Sequence, residues 1–266
     1  MSLACFKETT INTHKNATMG NVYFLSDLHL GAKYLADKLG NEKRVVRFLD
    51  SVKGDAETIY LLGDILDYWY EYKTVVPRGF VRFFGKLAEL ADSGVKIYWI
   101  TGNHDVWLFD YLSSEIGLTV LKTHITIEMG GKRFFLSHGD DVGKRPLMYR
   151  FMRFCFYNRV CQVLYAAIHP RWTSCIATGW SAENRTSRKQ AEVNEAIERN
   201  VVALENFAGE YTKAHGAVDY FVFGHLHTAR VCDMAAGGKI VFLGDWIDKF
   251  TYAVFDGKNL ALKKFE

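Results

Sequence analysis

The sequence predicts an α/β fold, and three observations carry that expectation. In the first half, apolar β-like runs alternate with stretches whose apolar residues recur every three or four positions. From Leu118 onward short strand-like runs dominate. Five of the apolar runs end in Asp, Asn or His, and an α/β sheet gathers its ligands at the carboxyl ends of its strands.

The elements follow in order. Asn21–Ser26 reads as a buried strand, and Glu42–Val52 as a helix with Val45, Val46, Phe48, Leu49 and Val52 on or near one face. Thr58–Leu62 is a second buried strand. Gly79–Ser93 is a helix stopped by Gly94, and Val95–Thr101 is a third strand. Strand, helix, strand, helix, strand is the pattern of a parallel sheet. Leu118–Leu121, His124–Met129 and Lys132–Ser137 are short strands, the last two joined by a Gly130-Gly131 turn. A second β-rich run holds Val218–Phe223, Ala229–Met234, Lys239–Leu243, Thr251–Asp256 and Asn259–Phe265, with Asp256-Gly257 as the last hairpin signal. Met1–Met19 is polar and unpatterned, so residues 1–20 are expected to be a tail outside the fold.

Composition narrows the class. With 266 residues and 49% hydrophobic residues, the chain can bury a large core without disulfides. A net charge of +3 is too weak to argue for nucleic acid as a partner. Five cysteines without a CxxC read as reduced thiols, which points to the cytoplasm. No window reaches the roughly 18 apolar residues of a membrane span, and the N-terminus lacks the apolar stretch of a signal peptide.

The chemistry sits in the five blocks. Asp27 and His29 lie in FLSDLHL, Asp64 in IYLLGDILD, Asn103 in IYWITGNHD, His138 in FFLSHGD, and His225 and His227 in YFVFGHLH. Five of the nine histidines fall in these blocks, so a shared site is a better account than five separate polar turns. Asp64 has two oxygens with which to bridge two cations. Asn103 offers an amide oxygen, His104 an imidazole, and Asp105 a carboxylate able to orient that imidazole. Mixed nitrogen and oxygen donors without thiolate suit two divalent ions of Mn²⁺, Fe or Zn²⁺, and ligand type alone does not choose among them. Such a pair is a known solution to phosphate ester hydrolysis. His14, His124, His169 and His215 lie outside the blocks and read as surface or packing residues. Trp69, Tyr70 and Tyr72 read as core or pocket wall.

The order D-x-H, G-D-x-x-D, G-N-H-D, H-G-D, G-H-x-H resembles the calcineurin-like metallophosphoesterases over roughly Val22 to Phe265. That resemblance implies a four-layer α/β/β/α sandwich. It implies one metal on Asp27, His29, Asp64 and His227 and another on Asp64, Asn103, His138 and His225, with a water between them attacking phosphorus. It gives His104 a catalytic role near the ester oxygens, with Asn103 and His225 also facing the substrate. LSDLHL, LLGDILDYW, the long insertion after SHGD and a late LGDW look more like the UDP-2,3-diacylglucosamine pyrophosphohydrolases of lipid A synthesis. Those enzymes release UMP and the acylated sugar 1-phosphate. Their best-known members carry GNRD where this chain has GNHD, which resembles a divergent branch.

Spacing marks the insertion. His29 to Asp64, Asp64 to Asn103 and Asn103 to His138 span 35, 39 and 35 residues, whereas His138 to His225 spans 87. The excess predicts a helical cap over 146–216, set between the two parts of the catalytic domain, 21–145 and 217–266. Its first half mixes aromatic residues with Arg150, Arg153, Arg159 and Arg171, a composition suited to an acyl cavity and to contact with anionic lipid at the cytoplasmic face of the inner membrane. Its second half, Glu183 to Ala208, reads as a polar amphipathic helix. Ser181, Arg185 and Arg188 resemble the cap stretch that touches substrate in those enzymes. The implied partner is an acylated nucleotide-sugar, with no nucleic acid and no obligate protein partner. The alternatives are a phosphoesterase for a nucleotide or other phosphodiester, and a scaffold with a vestigial site.

Overall fold

The structure, a computed structural model, describes residues 9–12, 20–143, 145–175, 179 and 190–266. Strand β1 is Thr9–Asn12. The first βα units run β2 (Asn21–Leu25), α1 (Lys38–Val52), β3 (Ala56–Leu62), α2 (Val81–Asp92), β4 (Lys96–Ile100), α3 (Tyr111–Ile116) and β5 (Thr119–Leu121). Strands β6 (Ile125–Met129) and β7 (Lys132–Ser137) form a hairpin. Helices α4 (Leu147–Tyr157), α5 (Arg159–Ala166) and α6 (Gln190–His215) follow. The chain closes with β8 (Tyr220–Phe223), β9 (Ala229–Asp233), β10 (Lys239–Leu243), β11 (Thr251–Phe255) and β12 (Leu260–Lys264).

Two six-stranded sheets result, ordered β12-β11-β2-β3-β4-β5 and β1-β6-β7-β8-β10-β9. Strands β2 to β5 are mutually parallel, as are β7, β8 and β10. Residue alternation then sorts side chains into layers. Val22, Phe24, Tyr60 and Leu62 meet Phe134, Leu136, Val222 and Val241 between the sheets. The alternate residues Tyr23, Leu25, Ile59 and Leu61 pack under α1 and α2 against Phe48, Leu49 and Leu87. On the far side Phe135, Phe221, Phe223 and Phe242 pack against α6 through Val201, Leu204, Ala208 and Tyr211. The order is helix, sheet, sheet, helix, so the fold is the expected α/β/β/α sandwich.

The helix starts are chemically fixed. Asp37 accepts the Gly40 N–H at 2.7 Å and caps α1. The Glu42 carboxylate on α1 accepts the N–H groups of Arg82 and Phe83, so one helix caps the next.

Two expectations need correction. Thr9–Asn12, read as tail, pairs parallel with β6 in register from Thr9↔Ile125 to Asn12↔Glu128. The free edge of β6 offers unpaired backbone groups, which a short Thr- and Ile-containing segment can satisfy. The segment 146–216 is not all cap either. Its C-terminal part, through Val201, Leu204, Ala208 and Tyr211, is the outer helical layer of the sandwich, because β7 and β8 are parallel and their connection needs a covering helix. The short helix α3 was not anticipated.

Candidate metal centre

Each candidate ligand stands just beyond a strand. Asp27 and His29 follow β2, Asp64 follows β3, Asn103 follows β4, His138 follows β7, and His225 and His227 follow β8. The chain turns sharply there. Asp27, His29, Asp64, His225 and His227 have φ of 55°, 41°, 52°, 66° and 50°, a left-handed conformation uncommon for residues with a side chain. Such strain, of order 1 kcal/mol or more per residue, persists where the surroundings impose it and clusters at functional sites.

The surroundings are close-packed. A Cβ on Gly63, itself at φ 79°, would lie 2.7 Å from Gly102 and from the His138 ring, and a Cβ on Gly102 would lie 2.3 Å from Asp64 Oδ1. Only glycine lets these turns approach one another.

Among the described residues three groups of donor atoms form: Asp27 with His29 and His227, His29 with Asp64 and His104, and Asp64 with His138 and His225. Asp64 Oδ2 lies 3.7 Å from His29 Nε2 and 3.3 Å from His138 Nε2, and Asp27 Oδ1 lies 3.4 Å from His227 Nε2. Two donors on one divalent ion at ~2.1 Å stand roughly 3.0–3.4 Å apart, so these separations suit ions between them. The carboxylates are polarised accordingly. Asp27 Oδ2 accepts from the Ser26 hydroxyl and the His225 N–H, while its Oδ1 is buried without a partner. Asp64 Oδ1 accepts the His104 N–H at 2.9 Å, leaving Oδ2 to face the histidines. His29 Nε2, His138 Nε2 and Asn103 Oδ1 are also buried and unpartnered. Orphaned buried donors and acceptors are rare and costly; here they converge, as a metal centre requires.

The outer contacts hold the rings. His138 Nδ1 donates to Leu62 O at 2.8 Å, and His29 Nδ1 stands 3.1 Å from Asp67 Oδ1. His227 Nδ1 faces Asp245 at 3.7 Å, whose Oδ1 accepts the N–H groups of Ile247, Asp248 and Lys249. Asp67 and Asp245 were not assigned roles from sequence, although GD-x-x-D and the late LGDW contain them.

His104 corrects one expectation. Asp105 does not orient it. The Asp105 carboxylate accepts from Gly102 N, Ile65 N and Trp99 Nε1, pinning the turn instead. His104 is oriented by Asp67, whose main-chain oxygen lies 2.9 Å from Nδ1, and its Nε2 stands 4.0 Å from Asp64 Oδ2. Its side chain is 25% exposed, against 3% for His29 and 0% for His138. His104 thus stands at the mouth of the centre.

The electrostatics are those of a site awaiting cations. Burial alone would lower His29, but hydrogen bonds to Asp27 and Asp67 and the charge of Asp64 outweigh it and raise the ring to about 10. His138 is likewise raised despite burial, chiefly by Asp64. Burial opposes ionisation of Asp64, yet the charges of His138 and His104 hold it well below the ordinary carboxylate range. His225 is lowered to about 3 by burial and by the charge on His138. In the metal-free protein protons occupy the place of part of the metal charge.

Residues 20–229 match the calcineurin-like phosphoesterase family. The chain belongs to that family. It is therefore a metallophosphoesterase, a hydrolase that works with divalent ions. Among curated relatives, the UDP-2,3-diacylglucosamine hydrolase of Porphyromonas gingivalis is 42% identical over 259 residues, 92% of this chain and 97% of its own. The proteins of that name from Neisseria meningitidis and Ralstonia nicotianae are each 28% identical, covering 86% and 92% of this chain and 90% of their own lengths.

Of the remaining expected site residues, Ser181, Arg185 and Arg188 lie outside the described residues. Trp69 is fully buried in the core. Tyr70 and Tyr72 join an aromatic seam beneath α4 and α5, with Trp107 4.6 Å from the Tyr165 ring and 5.1 Å from Phe156. Tyr70 OH donates to Gln162 O and Trp107 Nε1 to Phe156 O across it. No helix among the described residues is long and apolar enough to cross a membrane.

Proposed function

We propose that this protein hydrolyses the pyrophosphate of UDP-2,3-diacylglucosamine to UMP and 2,3-diacylglucosamine 1-phosphate, a step of lipid A synthesis. One observation carries the reading furthest: the 42% identity to a hydrolase of that name extends over nearly the whole of both chains, insertion included. The structure adds a cavity of about 620 Å³ beside the metal centre, walled by Leu39, Val76, Phe80, Pro170 and Tyr68 and reaching Asp67. That volume lies within the roughly 300–1,000 Å³ of small-molecule pockets, and its apolar wall suits an acyl chain.

Asp27, His29, Asp64 and His227 would hold one ion, and Asp64, Asn103, His138 and His225 the other, Mn²⁺ being the best match. Bound there, the ions supply positive charge to the phosphoryl oxygens and make water a nucleophile at neutral pH. The chain's own residues do the rest. Asp64 keeps Oδ2 aimed between the two ligand sets because the His104 N–H holds Oδ1. With its Nδ1 turned to the Asp67 carbonyl, His104 presents Nε2 to the phosphoryl oxygens, where it can stabilise charge or pass a proton to the leaving oxygen. Asn103 and His225 would also meet the substrate. Ser181, Arg185 and Arg188 would meet the substrate from the helical insertion, the arginines by charge-assisted bonds to phosphate.

The protein works in the cytoplasm, resting on the inner membrane through α4 and α5. No residue of either helix is buried, and Leu147, Met148, Phe151 and Phe154 are between 62% and 79% exposed beside Arg150 and Arg159. Exposed apolar residues rimmed by cations suit an anionic lipid surface.

The test compares kcat/KM for UDP-2,3-diacylglucosamine, its deacylated analogue and a simple aryl phosphodiester. The acylated substrate is expected to lead, since each buried methylene contributes about 0.8 kcal/mol. Equal values for all three would refute the substrate while leaving the family intact.

A further inference from the structure

Two arginines reach back from the segment after the H-G-D block, and they differ in one respect. Arg153, on α4, is neutralised: its Nη1 bonds Asp140 Oδ2 at 2.5 Å, and Tyr149 OH donates to the same oxygen at 3.0 Å. Arg145 has no such partner. Its Nη2 donates to the main-chain oxygen of Gly139, one residue from the ligand His138, and its guanidinium lies 5.9 Å from the centre of the Tyr149 ring. Among the described residues it forms no ion pair. Its Nε is buried and makes no hydrogen bond.

A partly buried cation with a free N–H and no counter-ion is expensive to hold beside a site built for two more cations. The Gly139 carbonyl fixes its position but cannot balance its charge. What can balance it is an anion brought to the centre, and the guanidinium fork suits a phosphoryl group better than any other side chain does.

We propose that Arg145 is a substrate-binding residue that holds the phosphoryl group of the diphosphate that is not attacked, and so selects diphosphates over simple phosphodiesters. The inference rests on the diphosphate reading above. Two phosphoryl groups divide the labour: one meets the metal ligands and His104, and the other meets Arg145 from the His138–His225 side.

The experiment measures Arg145→Ala, Arg145→Gln and Arg145→Lys holoenzymes on UDP-2,3-diacylglucosamine and on bis(4-nitrophenyl) phosphate, with metal content and thermal midpoint recorded for each. For Ala and Gln, kcat/KM on the diphosphate is expected to fall about 10- to 100-fold, the range of a lost charge-assisted bond. The aryl phosphodiester should change less than about threefold and metal content not at all, with Lys recovering part of the loss. Equal losses on both substrates, loss of metal, or no loss on either would overturn the assignment, the first two making Arg145 only a prop for Gly139 and His138. Failure of the diphosphate reading would show separately, as a wild-type enzyme without preference for the diphosphate. In that event inhibition of aryl phosphodiester hydrolysis by inorganic pyrophosphate, in excess Mn²⁺, decides: Arg145→Ala should weaken pyrophosphate more than phosphate, and unchanged inhibition by both would overturn it.

Discussion

The metal cleft and the helices α4 and α5 are built on opposite principles. In the cleft nearly every polar atom is either pinned or aimed. Asp27, Asp64 and His138 are buried, Asp27 and Asp64 are held in left-handed conformations, and the second atoms of all three are fixed by Ser26, His104 N and Leu62 O. Helices α4 and α5 bury no residue and expose Leu147, Phe151, Val160 and Leu164. They are tied to the sandwich through the aromatic seam, the Arg153–Asp140 pair and a few hydrogen bonds. The contrast teaches a division of work. The chemistry is pre-organised by a rigid frame, while α4 and α5 leave their apolar side chains uncovered on the surface proposed above to rest on lipid.

Breaking the frame at its shared carboxylate should have the largest effect. Asp64→Ala is expected to lose metal and activity together, with turnover down by more than roughly 10³-fold because both ion positions lose a donor. Elemental analysis and a phosphodiesterase assay check this; near-normal activity with full metal would sink it. His104→Ala should keep the metals yet lower turnover by about 10²–10⁴-fold. Loss of metal in that variant would make His104 a ligand instead. Gly102→Ala should cost roughly 10²-fold, because a Cβ 2.3 Å from Asp64 Oδ1 must displace the Asp64 carboxylate by a fraction of an ångström or more. An active Gly102→Ala enzyme would mean that the frame is softer than drawn.

Proton linkage sharpens the same comparison. His29 is raised to about 10 in the metal-free centre, so below that pH the ring binds a proton that an incoming ion must displace. Metal affinity should therefore rise with pH through neutrality, releasing at least about one proton per chain. Calorimetry in buffers of different ionisation enthalpy reads that release; buffer-independent heats would contradict it. The smallest effect on chemistry belongs to the exposed helices. A Phe151→Ser, Phe154→Ser double variant should lose co-sedimentation with phosphatidylglycerol vesicles, while hydrolysis of an aryl phosphodiester stays within about twofold.

The candidate site was legible because its residues interrupt a pattern. A lone Asp, Asn or His after an apolar β-run has no packing reason to be there, and five such interruptions name one place. The sandwich was legible from the same runs and the resemblance together. The supporting contacts were not. Asp67, Asp245 and Arg145 reach their partners through turns whose direction depends on residues far apart in the chain. His104 illustrates the limit: sequence adjacency suggested Asp105 as its guide, but the guide is the main chain at Asp67. The helix α6 was misjudged because its N-terminal part is polar, while Val201, Leu204, Ala208 and Tyr211 form a narrow apolar stripe that only the sheet makes meaningful. Strand β1 was missed because four residues hold too little pattern, and the edge of β6 decides their state.

The most direct test of the account is a metal titration of chelator-stripped protein, following UMP release from UDP-2,3-diacylglucosamine as Mn²⁺ is returned. The account predicts no activity in the stripped protein and full activity at about two ions per chain. Undiminished UMP release after complete stripping would contradict it.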